Sequence, residues 1–264
     1  MSLSEVQIDR YSRQILLPEV GGLGQEKILA GKVLVVGAGG LGCPAGLYLA
    51  AAGVGTLGIM DPDVVDISNL QRQVAHATPD IGRAKVDSAS EKYRAMNPDV
   101  QIRVYRERLS AANAPTILRA YDFVIDATDN FAAKFLVADA CHFAGKPYAH
   151  AGILRWNGQL MTVRPGATAC YRCVFREPPP PSATLSCAQA GILGALAGVM
   201  GTLQATEAIK FLLGSGELLT NRMLVYDALR ANFRTVVLQR HPLCPLCGET
   251  PSITTLAAES FLDN

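Results

Sequence analysis

The sequence predicts an α/β protein whose first half folds as a doubly wound parallel sheet. Lys32–Val36 is a continuous apolar run of strand length, which is typical of a parallel strand buried on both faces. A glycine-rich turn, Gly37-Ala-Gly-Gly-Leu-Gly42, follows it directly, and a second short strand, Thr56–Met60, ends at Asp61. Together these segments form a strand–turn–helix–strand unit of about thirty residues.

Later elements continue this alternation and then change character. Helices are predicted at 43–52, 84–96, 131–143 and 188–213, and further strands at 100–104, 121–126, 148–154, 159–163, 223–228 and 233–238. Asn157-Gly158, between two of these strands, is typical of a tight hairpin turn. The segment 177–182, Glu-Pro-Pro-Pro-Pro-Ser, predicts an extended crossing. We therefore predict a Rossmann-like, doubly wound mixed sheet with an antiparallel C-terminal extension. Because no clean linker separates its halves, 30–150 and 151–264, we predict one domain over 1–264.

Length and composition exclude several classes of protein. Of the 264 residues, 49% are hydrophobic, which excludes a disordered chain, and a net charge of +1 predicts neither a nucleic-acid nor a membrane partner. Charged residues make up 18%, below the roughly 25% typical of soluble domains, which suggests burial against another subunit. We find no apolar run of signal-peptide length among the first ten residues. The stretch 190–203 is shorter than the roughly 20 residues of a membrane span, so we expect a cytoplasmic protein.

The glycine turn predicts a nucleotide-binding site. Gly37, Gly39 and Gly42 hold the G-x-G-x-x-G positions, with Gly40 between them. These glycines allow a tight turn, close approach of a phosphate to the backbone and packing of helix on strand, while the helix N-terminus attracts phosphate oxygens. Asp61 lies about 20 residues on, where a carboxylate binds a ribose hydroxyl. The turn alone does not distinguish ATP from NAD.

The polar residues after Asp61 favour ATP. Asn69, Arg72, Gln73 and Lys85 follow within the next stretch of chain. A triphosphate carries about four negative charges and needs more cations than a dinucleotide does. The alternative is an exposed polar helix with ordinary surface charges.

A second group of polar residues, Asp126-Ala-Thr-Asp129-Asn130, follows a predicted buried strand. Ligands of doubly wound sheets lie at the carboxyl ends of strands, so Asp129 could hold Mg²⁺ that bridges phosphates. The alternative is that the Asp-Asn pair only caps the next helix.

The cysteines predict a structural zinc site. Cys170-x-x-Cys173 and Cys244-x-x-Cys247 supply four thiolates, which close a tetrahedral site and leave no position for water. The long gap between the pairs means that the site would clamp two distant segments. Cys187 precedes the predicted helix 188–213, where a helix N-terminus favours a reactive thiolate. The alternative is a small buried residue.

In combination these motifs resemble the bacterial ubiquitin-activating-like enzymes of the MoeB/ThiF/HesA family. The resemblance covers residues 8–248 in the family's order. It rests on Arg10-Tyr-Ser-Arg13-Gln, the glycine turn, Ser68-Asn-Leu-Gln-Arg72-Gln, Asp126-Ala-Thr-Asp129-Asn, both cysteine pairs, and Gly201-Thr-Leu-Gln-Ala-Thr-Glu207-Ala-Ile-Lys210.

The resemblance implies an adenylyltransferase that binds Mg·ATP and activates the C-terminal Gly-Gly carboxylate of a small ubiquitin-like sulfur carrier. It implies that 151–264 binds the carrier, that Asp61 holds the ribose, and that Asp129 serves Mg²⁺ and the reacting centre, with Asn130 beside it in the nucleotide site. Phosphate contacts are implied for Asn69 and Arg72, in the matched motif that also contains Gln73, and for Lys85 further along the chain.

The resemblance also implies partners. Arg13 would reach the ATP site of the partner subunit in a homodimer. Cys187 matches a cysteine that some relatives link covalently to the carrier. The sequence contains no rhodanese domain of the kind some relatives carry, so we expect a separate protein to donate sulfur. Two alternatives remain at this point: an NAD-dependent oxidoreductase and a non-catalytic carrier-binding partner of an activating enzyme.

Overall fold

The computed structural model describes residues 3–179 and 190–256. In this part of the chain, eight strands form one mixed sheet in the order β3-β2-β1-β4-β5-β6-β7-β8. The strands are β1 (Lys32–Val36), β2 (Thr56–Met60), β3 (Gln101–Tyr105), β4 (Phe123–Asp126), β5 (Tyr148–Leu154), β6 (Asn157–Val163), β7 (Arg222–Asp227) and β8 (Asn232–Val237). Neighbours from β3 to β5 are parallel, and those from β5 to β8 are antiparallel. The predicted mixed sheet with its antiparallel extension is confirmed.

Helices cover both faces of this sheet. They are α1 (Glu5–Ile15), α2 (Gly21–Ala30), α3 (Gly42–Ala52), α4 (Lys85–Met96), α5 (Ala114–Arg119), α6 (Phe131–Ala144), α7 (Tyr171–Val174) and α8 (Gly194–Leu213), with 3₁₀ turns at Ile67–Asn69 and Thr78–Asp80. Among the described residues, no helix is long and apolar enough to cross a membrane.

The core lies in two layers because successive side chains of a strand point to opposite faces. On β1, Val33 and Val35 belong to the cluster that packs under α3, α4 and α8, whereas Leu34 and Val36 belong to the cluster under α5 and α6. The strand order reverses between β1 and β4. Ligands of doubly wound sheets bind at such a switch point, beyond the carboxyl ends of the strands.

The hairpin prediction was wrong in its position. Leu154 pairs with Asn157, so the turn consists of Arg155 and Trp156, and Asn157-Gly158 begins β6. Arg155 adopts a φ of 55°, the left-handed conformation that such a turn requires. Gly158 instead allows α8 to approach the sheet, because a Cβ there would lie 2.6 Å from the sulfur of Met200.

The long C-terminal helix also begins later than predicted. It starts at Gly194, not at 188, because Ile192 forms a parallel bridge with Arg155 and residues 191–193 are not helical. Residues 188–189 and the part of the predicted crossing at 180–182 lie outside the described residues.

Candidate functional site

Three loops emerge side by side at the carboxyl ends of β2, β1 and β4. In the register of the sheet, Val36 lies between Met60 and Asp126, the last residues of the neighbouring strands. The ladder continues one step, since the N–H of Gly37 donates to Met60 (2.8 Å) and that of Ala127 donates to Val36 (2.9 Å). The glycine turn, Asp61 and the Asp129 loop are therefore adjacent, although they are far apart in sequence.

Each glycine of the turn meets a different demand. Gly37 has a φ of 103°, and a Cβ there would lie 2.6 Å from the carbonyl oxygen of Ala127. At Gly42 a Cβ would overlap the carbonyl of Gly37, and at Gly40 it would lie 3.2 Å from the Cβ of Ala197 on α8. Gly39 has more room, since the nearest atom to a Cβ would be Nε2 of Gln73 at 3.5 Å.

Asp61 joins two of these loops. One carboxylate oxygen accepts the N–H of Ala38 (2.8 Å) and the other accepts that of Asp63 (2.9 Å). Burial raises the pKa of Asp61, and nearby Lys85 opposes this. The carboxylate is thus held rigidly beside the glycine turn, and each oxygen keeps a lone pair for a further donor.

The segment after β2 folds back against the glycine turn and carries the other predicted residues. The aliphatic part of the Arg72 side chain would lie 3.4 Å from a Cβ at Gly40, and its guanidinium donates to the carbonyl of Ser68 (3.1 Å). Gln73 is buried, and its Oε1 has no hydrogen-bond partner among the described residues. Asn69 ends the 3₁₀ turn that begins at Ile67.

Lys85, at the start of α4, is held by an ion pair. Its buried Nζ lies 3.0 Å from Oδ2 of Asp63, whose side chain is 54% exposed. Because one partner of the pair faces solvent, the Lys85 ammonium lies within reach of an incoming anion beside Asp61.

The loop after β4 separates its two aspartates into different environments. Asp126 is buried: Oδ1 accepts the N–H and hydroxyl of Thr128, and Oδ2 accepts from Nδ1 of His150 (2.8 Å). Although burial alone would raise it, Lys134 and His150 lower the pKa of Asp126 to about 2. Asp129 is exposed. Of the two carboxylates, only that of Asp129 is open to a ligand from solvent.

Asn130 caps helix α6. Its side-chain oxygen accepts the N–H of Ala133 (2.8 Å). The capping alternative therefore applies to Asn130, while its predicted contact with nucleotide stays a prediction.

Arg13 lies at the opposite end of the fold. Its neighbour Gln14 donates to Ala52 at the C-terminus of α3 (3.4 Å), and Tyr11 accepts from Asn97 beyond α4 (2.8 Å). Helix α3 begins at the glycine turn and has 11 residues, so it is about 16 Å long at about 1.5 Å per residue. The exposed Arg13 therefore does not join the site of its own chain. Cys187 lies outside the described residues.

The four paired cysteines come together in the second half. Their sulfurs all lie within 4.8 Å of one another, with 3.7 Å between Cys170 and Cys173, 3.5 Å between Cys170 and Cys244, and 3.4 Å between Cys173 and Cys247. A tetrahedral zinc with Zn–S bonds of about 2.3 Å requires sulfurs about 3.8 Å apart. Hydrogen bonds from Cys170 and Cys247 hold the pKa of Cys173 well below its usual value. The donor set and its spacing fit a closed zinc site.

Sequence analysis missed the buried partners of this site. His150 and Lys134 both pair with Asp126, and Gln204 on α8 donates to the carbonyls of Asp126 (2.7 Å) and Ala149 (2.9 Å). Lys134 carried a signal, since it is a lysine four residues after Asn130 on a mostly apolar helix.

Comparisons with known proteins agree with this arrangement. The profile of the ThiF family matches residues 11–246. The sulfur carrier protein adenylyltransferase of Thermus thermophilus is 46% identical over 257 residues, which cover 96% of this chain and 95% of that protein. The adenylyltransferase and sulfurtransferase MOCS3 of Bos taurus is 49% identical over 98% of this chain, which spans 58% of that protein.

A solved structure shares the fold. Escherichia coli MccB, crystallised with MccA-N7isoASN, superposes with a TM-score of 0.80 at 22% sequence identity, covering 94% of this chain and 76% of that one.

Proposed function

Because this chain belongs to the ThiF family, we propose that it uses ATP to adenylylate the C-terminal Gly-Gly carboxylate of a small ubiquitin-like sulfur carrier, with release of pyrophosphate. The observation that carries the proposal is the convergence of the glycine turn, Asp61 and Asp129 at three adjacent strand ends. Named relatives over nearly the full chain are adenylyltransferases, which favours this chemistry over both an oxidoreductase and a non-catalytic partner.

In the proposed complex the nucleotide lies across the switch point of the sheet. Asp61 accepts the ribose hydroxyls, and the backbone of Gly37–Gly42 faces the phosphates with the positive end of the α3 dipole. Asn69, Arg72 and Gln73 approach the phosphates from the segment that covers the turn. Lys85 exchanges its ion pair with Asp63 for a phosphate oxygen.

The reaction joins two anions, and the proposed residues neutralise both. A carboxylate oxygen of the carrier attacks the α-phosphorus, the bond to the bridging oxygen breaks, and pyrophosphate leaves with that electron pair. Arg72 and Lys85 stabilise the charge that develops on the phosphates. Mg²⁺, when bound, would screen the same charge as a Lewis acid, and Asp129 would hold it. The glycine turn and the rigidly held Asp61 position the reactants in line, which supplies much of the remaining rate acceleration.

Several finer parts of the proposal concern partners. Arg13 acts at the ATP site of a second copy in a homodimer, since it lies too far from its own site. The four-cysteine cluster holds zinc in a structural role. Cys187 attacks the carrier's acyl-adenylate only after adenylation, so that a thioester forms and AMP leaves, and a separate protein donates the sulfur. A cytoplasmic location suits the six described cysteines, none of which forms a disulfide.

Pyrophosphate exchange against a panel of small Gly-Gly-terminated proteins tests the function. We expect ATP–pyrophosphate exchange that depends on one carrier and disappears when its terminal glycine is removed. Arg119→Ala, an exposed arginine at the end of α5 far from the strand carboxyl ends, is the matched control for Arg72→Ala. Exchange that is absent with every carrier, or equal in the two variants, would refute the proposal.

A further inference from the structure

The peptide between Ala38 and Gly39 is fixed by a buried histidine that lies under the glycine turn. The carbonyl oxygen of Ala38 is 3.0 Å from Nε2 of His76, and the thiol of Cys43 also donates to it (3.3 Å). On its other side, the N–H of Ala38 donates to Asp61. Ala38 is thus held through both of its backbone polar groups.

The hydrogen bonds of His76 define its tautomer. A carbonyl can only accept, so Nε2 carries a proton. Nδ1 lies 2.9 Å from the hydroxyl of Ser88, which is fully buried on α4. Burial lowers the pKa of His76, and Lys85 also lowers it, whereas the hydrogen bond to Ala38 and the carboxylates of Asp80 and Asp61 raise it. The lowered pKa favours the neutral ring with its proton on Nε2, while Nδ1 faces the Ser88 hydroxyl, which also hydrogen-bonds to Asp80.

The direction of the Ala38 carbonyl decides the direction of the next N–H. The described residues contain no cis peptide bond, and in a planar trans peptide the C=O and the following N–H point in opposite directions. Because the carbonyl of Ala38 points inward to His76, the N–H of Gly39 points outward. In the described part of the chain that N–H has no acceptor. Such free backbone donors at the start of a helix are what a phosphate binds.

We propose that His76 is a positioning residue for the nucleotide, which holds the Ala38–Gly39 peptide in the orientation that presents the Gly39 N–H to a phosphate oxygen. This inference rests on the proposed function only for the identity of the ligand as ATP. His76 touches neither nucleotide nor carrier, and it acts through one backbone peptide.

Two amide variants separate this role from packing. The side-chain nitrogen of His76→Gln reaches the position of Nε2 and keeps the donor to Ala38, whereas that of His76→Asn reaches only the position of Nδ1 and loses it. Hydrogen bonds to charged groups are strong, so we expect His76→Asn to raise the dissociation constant of ATP by about 10- to 100-fold in calorimetric titration. His76→Gln should remain within about threefold of wild type. In pyrophosphate exchange, the KM for ATP should rise with little change in kcat.

Ser90→Ala is the matched control. Ser90 is another buried serine of α4, whose hydroxyl donates to its own helix at Asp87, and this variant should bind ATP as wild type does. Equal affinities of the Gln and Asn variants would overturn the inference. If the two variants differ in ATP affinity but the wild-type protein shows no pyrophosphate exchange with any carrier, the inference about His76 stands and the proposed function is refuted.

A measurement on the wild-type protein covers the case in which a variant does not fold. Nitrogen-15 spectra of the histidine rings should show His76 neutral with the proton on Nε2. A proton on Nδ1 of a neutral ring would leave the Ala38 carbonyl without its donor and would overturn the inference.

Discussion

Replacement of Lys134 by methionine should destabilise the protein, because Lys134 forms a buried ion pair with Asp126 at the start of the loop that carries Asp129. The Nζ of Lys134 is buried, 3.6 Å from Oδ2 of Asp126, and donates to the carbonyl of Ala151 (2.7 Å). Methionine has a similar volume but carries no charge, so the Asp126 carboxylate would stay buried with a neutral histidine as its main partner. Removal of one member of a buried ion pair costs about 3–5 kcal/mol.

The pKa of Asp126 gives an independent magnitude. A carboxyl whose pKa falls from 3.8 to about 2 on folding stabilises the native state by about 2 kcal/mol at neutral pH. Because the folded pKa is the lower one, this stabilisation is present above pH 4 and is lost as the pH falls from about 4 to about 2. In Lys134→Met this acid-dependent part should shrink, since the folded pKa rises.

Urea unfolding at a fixed zinc concentration, measured between pH 7 and pH 3, tests both statements. We expect Lys134→Met to lose about 3 kcal/mol at pH 7 and the double variant with Asp126→Asn to recover part of that loss. Lys146→Met is the matched control, because among the described residues Lys146 donates only to the carbonyls of Arg119 and Tyr121. Removal of one partner of a buried ion pair costs more than about 1 kcal/mol. An unfolding free energy of Lys134→Met within about 1 kcal/mol of wild type would therefore refute the argument.

Four further variants test the site and the cysteine cluster. Arg72→Ala and Asp129→Ala should each abolish ATP–pyrophosphate exchange while leaving the melting temperature unchanged, because neither side chain is buried; near-wild-type exchange in both would contradict the assignment. Cys187→Ala should retain exchange, and its loss would mean that the thiol acts before adenylation or supports the fold. Cys173→Ala should lower the zinc content measured by metal analysis from one equivalent per chain to near none; an unchanged content would exclude the four-thiolate site.

Local patterns predicted the elements whose structure depends on their own residues. The strand Lys32–Val36 and the turn after it follow from an apolar run and from glycines, and the structure has both where they were predicted. The hairpin turn was misplaced because Asn157-Gly158 satisfies a local turn preference, whereas Gly158 serves a contact with Met200 on a helix that begins 36 residues later.

The glycine turn, Asp61 and Asp129 were accessible to sequence reasoning because they lie at or shortly after strand ends. Their buried supports were not. His150 lies 24 residues from Asp126, and His76 lies 38 residues from Ala38, each on a different element. A single histidine within an apolar stretch carries no pattern that names its partner, so these contacts emerge only when the strand order is known.

The cysteine cluster has a consequence for the free edge of the sheet. Every residue of β8 is exposed, and among the described strands β8 pairs only with β7. Cys244 and Cys247 follow shortly after this strand and meet cysteines 74 residues earlier in the chain. An unprotected edge strand with apolar side chains such as Phe233 and Val237 is a template for self-association. After removal of the metal, the chain should therefore unfold locally first at this edge of the sheet. It should show rapid amide exchange there, and aggregation, while its nucleotide pocket is still intact.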